Sequence, residues 1–179
     1  MRRQLGFTIT ELIVVTAIVA ILLSIAVPSF RYVTNANRAS AEINSLLGDL
    51  MYARAEAVRQ GTAVVVCTSA DRQSCAAVTT WEGGWVVCVA NAGGTCDNTT
   101  EVLRVQKAFT STDTLRPDAN SNAAAIRFGR TGFATGINAA GATFTLHDQT
   151  QNSVWTRCLS VTVVGMLRTT NHAWTPACL

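Results

Sequence analysis

Glu11 is the first residue of this sequence whose chemistry calls for an explanation. It ends the segment Gly6-Phe7-Thr8-Ile9-Thr10-Glu11 and directly precedes an apolar run, residues 12–27. An ionised carboxylate at the edge of hydrocarbon costs several kcal/mol unless a positive charge pairs with it. We therefore expect Glu11 to form an ion pair that serves a function.

Cysteines form a second reactive set, and all six lie beyond the apolar run. Their number favours an oxidising compartment and disulfide bonds. Each neighbouring pair encloses a segment typical of a turn between strands or of a tail that folds back. Sequential pairing is therefore expected: Cys67 with Cys75, Cys88 with Cys96, and Cys158 with Cys178. Because no pair has Cys-x-x-Cys spacing and only His147 and His172 could join a cluster, we expect no metal.

Catalytic groups are sparse. His147 and Asp148 are the only close His and Asp pair, and they lie at a predicted strand end, where a surface turn is expected. The sequence has no Walker-type phosphate loop and no dinucleotide fingerprint. We expect neither an enzyme nor a cofactor.

The N-terminal element that must position Glu11 is a membrane helix. Residues 7–28 are about long enough to cross a bilayer, at roughly 1.5 Å per residue. Because positive charges favour the cytoplasmic side, Arg2 and Arg3 should stay there and residues after Pro28 should be exported. A cleaved secretory signal has a shorter apolar region that does not open with Glu, and a plain signal anchor does not explain Glu11.

The helical period continues past Pro28, where a kink or local melting is expected. Apolar residues recur at three- and four-residue steps up to Gln60, and Gly61 supplies a stop signal. Arg54 interrupts this stripe. Its stem could lie along apolar surface with its charge in water, or it could be a paired charge at an interface.

Beyond the helix the pattern changes to short strands separated by Gly, Asn, Asp and Ser. The predicted strands are 64–67, 85–89, 102–109, 124–128, 143–147 and 158–164. The expected fold class is α+β, with a long N-terminal α-helix, transmembrane in its first half, packed on a C-terminal antiparallel β-sheet head.

The N-terminal residues resemble the class III signal of type IV pilins and type II secretion pseudopilins. Three later segments are similar to the GspH/FimT family of minor pilins and pseudopilins: 67–75 (CTSADRQSC), 81–87 (WEGGWVV) and 126–132 (IRFGRTG). The resemblance implies a pilin-like fold with four parts. They are a leader peptide (1–6), a transmembrane or filament-core helix (7–28), an amphipathic helix (29–60) and a β-rich head (61–179).

The same resemblance implies how the chain is processed. A prepilin peptidase would cut after Gly6, Phe7 would become the N-methylated first residue, and Glu11 would pair with the N-terminal amine of a neighbouring subunit. Expected partners are other major and minor pilins, the peptidase and the inner membrane. The chain would cross the inner membrane once with its head in the periplasm, and assembly would carry it to the cell surface in a pilus.

The function implied by the resemblance is that of a minor pilin that helps to initiate or cap a type IV pilus at or near its tip. A minor pseudopilin of type II secretion shares the same features. DNA binding for natural transformation is the second alternative. Some family members bind DNA through a C-terminal Gly-Arg-x-Arg motif, whereas this chain has Gly165-Met166-Leu167-Arg168, so only Arg168 carries over.

Further arginines could contribute phosphate contacts if the sheet gathered them. The candidates are Arg157 with Arg168, joined by Arg116, Arg127 and Arg130. The formal charge of +3 includes Arg2 and Arg3, so the chain beyond residue 6 is nearly neutral. Net charge therefore does not by itself favour a nucleic-acid partner.

Overall fold

The computed structural model describes residues 8–119, 121 and 123–171. Within them one helix, α1, spans Ile9–Gln60. It begins where the Thr8 hydroxyl accepts a hydrogen bond from the Glu11 backbone N–H, at 3.3 Å. It ends at Gly61, whose φ of 67° suits the position after a helix. The helix continues through position 28 without the local melting expected there.

The chain divides into two compact units, Met1–Asn37 and Arg38–Leu179. In the first unit, side chains are exposed on every face of the helix from Thr8 to Thr34, apart from position 28, whose side chain is not described. The mean hydropathy of its most apolar 18-residue window is 2.7. By length and composition this helix can cross a membrane.

In the second unit, α1 buries one face. The buried stripe follows three- and four-residue steps, so it lies on one side of the helix: Ala39, Ile43, Leu46, Leu50, Ala53 and Ala57. These residues share one core with Trp81, Trp85 and Phe144. The second half of the helix is thus held to the sheets by apolar burial.

Nine strands form two antiparallel sheets in the described part of the second unit. Sheet A has the order β3-β2-β1-β5-β6, and sheet B has the order β4-β7-β8-β9. The strands are β1 Val64–Thr68, β2 Gly84–Val89, β3 Val102–Lys107, β4 Thr114–Pro117, β5 Ala125–Phe128, β6 Ala134–Thr135, β7 Ala142–His147, β8 Arg157–Val161 and β9 Leu167–Asn171. The predicted class, one long helix packed on antiparallel sheets, is confirmed.

Both faces of sheet A are covered. Val64 and Val66 of β1 point into the core beneath α1, while Val65 and Cys67 point to the opposite face. There the disulfides Cys67–Cys75 and Cys88–Cys96 hold two loops over the strands. These are the first two pairs expected from the sequence. The two loops that they hold cover the face of sheet A opposite α1.

Candidate functional site

Glu11 lies on the exposed surface of the first unit. No ion pair among the described residues involves its side chain. Gly6 and Phe7, the predicted processing site, lie outside the described residues. The expected partner of Glu11, the amine of a neighbouring subunit, is likewise outside the chain described here.

Arg54 acts as a clamp. Its Nε donates to the carbonyl of Gly132 at 3.1 Å, and its NH2 group donates to the carbonyl of Val164 at 3.4 Å. One guanidinium thus ties α1 to the turn after β5 and to the turn between β8 and β9. The sequence suggested either a charge held in water or a charge paired at an interface. In the structure the guanidinium donates to two backbone carbonyl oxygens.

The two turns that Arg54 holds also contact each other closely. Gly165 has a φ of 78°, and a Cβ added to it would collide with the carbonyl oxygen of Gly132. Gly132 has the same positive φ, and a Cβ added there would lie 3.1 Å from Nε of Arg54. Glycine is required at both positions by backbone conformation, and at Gly165 also by space.

A groove of about 700 Å³, called the groove below, opens between α1 and these turns. One wall is the helix and the other is formed by the two turns; the lining residues are Met51, Arg54, Ala55, Val58, Arg59, Thr131, Gly132, Gly165, Met166 and Leu167. Arg59 donates to the carboxylate of Glu56, which holds the pKa of Glu56 down at about 2.

A second polar site, the acid cluster, lies where α1 enters the second unit. Arg38 donates to both carboxylate oxygens of the buried Asp113, at 2.8 and 3.0 Å. Glu42 Oε1 accepts from the Ser111 hydroxyl at 2.7 Å, while no hydrogen-bond donor to the buried Oε2 is found among the described residues. Burial and the neighbouring carboxylate of Asp113 raise the pKa of Glu42 to about 7.

A third site, around Asp49, was not expected from the sequence. The carboxylate is buried and accepts from Trp85 Nε1 at 2.9 Å and from Arg104 at 3.1 Å. Arg104 also lies over the ring of Tyr52, 3.9 Å from its centre. This network joins α1 to β2 and β3. Its sequence signal was an acidic residue within the buried apolar stripe, between Leu46 and Leu50.

The five cysteines within the described residues are all disulfide-bonded. The sulfur atoms of Cys67, Cys75 and Cys96 lie within 4.8 Å of one another. All three are oxidised, so they offer no thiolate to a metal. Cys158 is also disulfide-bonded, but Cys178, its expected partner, lies outside the described residues.

His147 and Asp148 lie at the end of β7 and in the turn that follows it. Asp148 accepts from the Asn152 backbone N–H at 2.8 Å and from the Thr150 hydroxyl at 2.5 Å. His147 Nδ1 lies 3.3 Å from the Thr156 hydroxyl. The carboxylate therefore organises the turn after β7, as the sequence led us to expect.

The arginines considered for DNA binding lie on more than one face of the two sheets. Arg157 shares a face of β8 with the buried Leu159 and Val161 and donates to Ser40 of α1 at 3.4 Å. Arg168 pairs with Ser160 in the sheet, so it lies on the opposite face.

Of the other three arginines, Arg116 lies on the same face of sheet B as Arg168, with β7 and β8 between them. Arg127 donates to Gly94 on the disulfide face of sheet A, and Arg116 forms an ion pair with Glu82 at 2.5 Å. Arg130 is exposed beyond β5. One face of sheet B therefore carries Arg116 and Arg168, whereas Arg157 and Arg127 lie on other faces, so these arginines do not form one continuous set of phosphate contacts.

Comparison with known proteins identifies one matching family and one matching N-terminal motif. Residues 42–165 match the family of the type II transport protein GspH, and residues 1–27 match the prokaryotic N-terminal methylation motif. The first match includes Glu42 of the acid cluster, Asp49, Arg54 and Gly165. No curated protein matches the chain.

Solved structures with the same fold include two minor subunits of different systems. The type IV minor pilin FimU of Pseudomonas aeruginosa is 22% identical, with a TM-score of 0.60 over 84% of this chain and 99% of that chain. The minor pseudopilin EpsH from the type 2 secretion system of Vibrio cholerae is 14% identical, with a TM-score of 0.53 over 75% of this chain and 97% of that chain. Both likenesses show that this chain has a pilin-like fold.

Proposed function

The chain belongs to the GspH family of minor pilins and pseudopilins, and from this we propose that it helps to initiate or cap a type IV pilus at or near its tip. The observation that carries the proposal is the exposed surface of the first unit. Its helix exposes apolar side chains all round and one carboxylate without a described partner. Such a helix needs a bilayer or neighbouring helices around it.

In this proposal Gly6 and Phe7 form the processing site. Prepilin peptidase removes residues 1–6 at the inner membrane, and the exposed amine of methylated Phe7 becomes the charge that Glu11 of a neighbouring subunit requires. The residues after the membrane helix lie in the periplasm before other major and minor pilins assemble with them. The shared helix supplies the packing, while the second unit supplies the surface that distinguishes this subunit.

Substitution of Glu11 by valine tests this assignment. Membrane insertion and cleavage after Gly6 should persist, whereas incorporation into filaments should fall by about tenfold or more, because the amine would be buried without its partner. Glu11→Asp, which keeps the charge, is the matched control. Immunoblots of membranes and sheared filaments measure both steps, and normal incorporation of Glu11→Val would refute the proposal.

A minor pseudopilin is the second candidate, because the matching family is described by type II transport and one structural relative belongs to a secretion system. Deletion of the gene separates the two: loss of surface pili supports the first assignment, and loss of protein secretion with pili intact supports the second. DNA capture is not part of the proposal, since Arg157 and Arg168 lie on opposite faces of sheet B.

A further inference from the structure

Exposed apolar side chains of the second unit gather around the groove. Met51, Val58 and Met166 line it and are 57%, 53% and 67% exposed. Phe133 and Val164, next to the lining glycines, are 50% and 51% exposed. Scattered exposed apolar residues are common, but a contiguous set around a concave surface marks an interaction site.

The groove is preformed and has one wall of helical spacing. Arg54 fixes both turns to α1, so the backbone walls do not need to move before binding. Met51, Ala55 and Val58 follow one another at four and three residues along α1, a ridge against which a second helix can pack. Met51 and Met166 are flexible enough to adapt to an occupant.

The charge of the groove selects its occupant. Two arginines line the groove, and no Asp or Glu does among the described residues. Arg59 is paired with Glu56, whereas the described hydrogen-bond partners of Arg54 are backbone carbonyls. Arg54 therefore keeps a positive charge at an apolar surface, and a complementary segment would carry apolar side chains and a carboxylate.

We propose that the groove binds an acidic amphipathic helix of a different subunit of the same filament, an inference that rests on the proposed function. A second copy of this chain is a poorer fit. The carboxylates of its own α1 are already engaged: Glu42 with Ser111, Asp49 with Trp85 and Arg104, and Glu56 with Arg59. In the proposed function the remaining one, Glu11, pairs with the N-terminal amine of a neighbouring subunit. A heterotypic subunit supplies the missing negative charge.

Charge variants at one groove residue test the chemistry of the occupant. With a photoreactive amino acid at Met166 of the full-length chain in cells, irradiation should yield a cross-link to another filament subunit. Mass spectrometry should place it beside a carboxylate one helical turn from apolar residues. Val58→Asp should reduce that cross-link by about tenfold, whereas Val58→Lys should reduce it much less, because lysine complements the acidic helix.

Val154→Asp is the matched control. Val154 is 50% exposed and does not line the groove, so this variant should cross-link normally from Met166. Equal loss from Val58→Asp and Val58→Lys would overturn the acidic occupant. A cross-link to a second copy, to lipid or to a segment without a carboxylate would also overturn it.

A photoreactive residue at Val14, in the first unit, separates this proposal from the assembly function. Cross-links to other subunits from position 14 but none from position 166 would overturn the groove proposal and leave the assembly function standing. An absence of subunit cross-links from both positions would overturn both.

Discussion

Replacing Asp49 with alanine should lower the free energy of unfolding of the second unit by about 3 kcal/mol. Asp49 is 9% exposed, and its carboxylate accepts hydrogen bonds from Trp85 and Arg104. Alanine would leave the buried indole N–H without an acceptor, which costs about 1–3 kcal/mol. Arg104 would lose its ion pair but keep its contact with the Tyr52 ring and its access to water.

Denaturant unfolding of the full-length chain in detergent micelles, followed by the near-ultraviolet dichroism of its tryptophans, measures this loss. Asp49→Asn is the control, because its amide oxygen still accepts from Trp85 while its charge is gone. We expect Asn to cost about 1 kcal/mol, the share of the half-exposed pair with Arg104. A stability of Asp49→Ala within about 0.5 kcal/mol of the original chain would contradict the network.

The sequence was sufficient to predict the helix and the core strands because burial leaves a regular pattern. The stripe from Ala39 to Ala57 repeats at helical steps, and the apolar residues of β1 and β2 stand between turn-forming residues. The helix was predicted over 7–60 and is described over Ile9–Gln60. Where one element must bury a whole face, composition and period determine its class.

Three strands were missed, and all three lie at sheet edges. β4 includes Pro117, β6 has two residues, and β9 is mostly polar and exposed. An edge strand pairs on one side only, so it can accommodate proline and polar residues that would weaken a central strand. Its identity is decided by the neighbouring strand, which a local sequence pattern does not reveal.

The groove and the polar networks depend on contacts between residues distant in the chain. Arg54 meets Gly132 and Val164 because two turns from different sheets converge on α1. From the sequence, Arg54 is visible only as a break in the apolar stripe, and Asp49 only as one of the charged residues between the apolar positions of the helix. Glu11 was different, because the residues directly before and after it were enough to predict a functional ion pair. Local context thus predicted the proposed assembly residue, whereas the groove required the structure.

Glu42 should make the stability of the second unit depend on pH near neutrality. Burial raises its pKa from 4.5 to about 7, and Asp113 adds to the shift while the Ser111 hydroxyl opposes it. The native state therefore keeps a proton that the unfolded chain releases, so stability should fall as pH rises from about 4.5 to about 7. For this half-buried group, solvent screening reduces the expected loss to about 2 kcal/mol.

Glu42→Gln carries the neutral form at every pH and keeps an acceptor for Ser111. At pH 8 this variant should therefore be about 2 kcal/mol more stable than the original chain, and at pH 4.5 the two should be nearly equal. Thermal unfolding of both full-length proteins in detergent at several pH values gives the difference between their stabilities, which removes the contributions that the two chains share. Glu101→Gln, at an exposed carboxylate, is the control, and its stability relative to the original chain should not change in this way with pH. If Glu42→Gln and the original chain instead differed in stability by the same amount at every pH in this range, Glu42 would be ionised in the native state. Arg38, and not a proton, would then neutralise it beside Asp113.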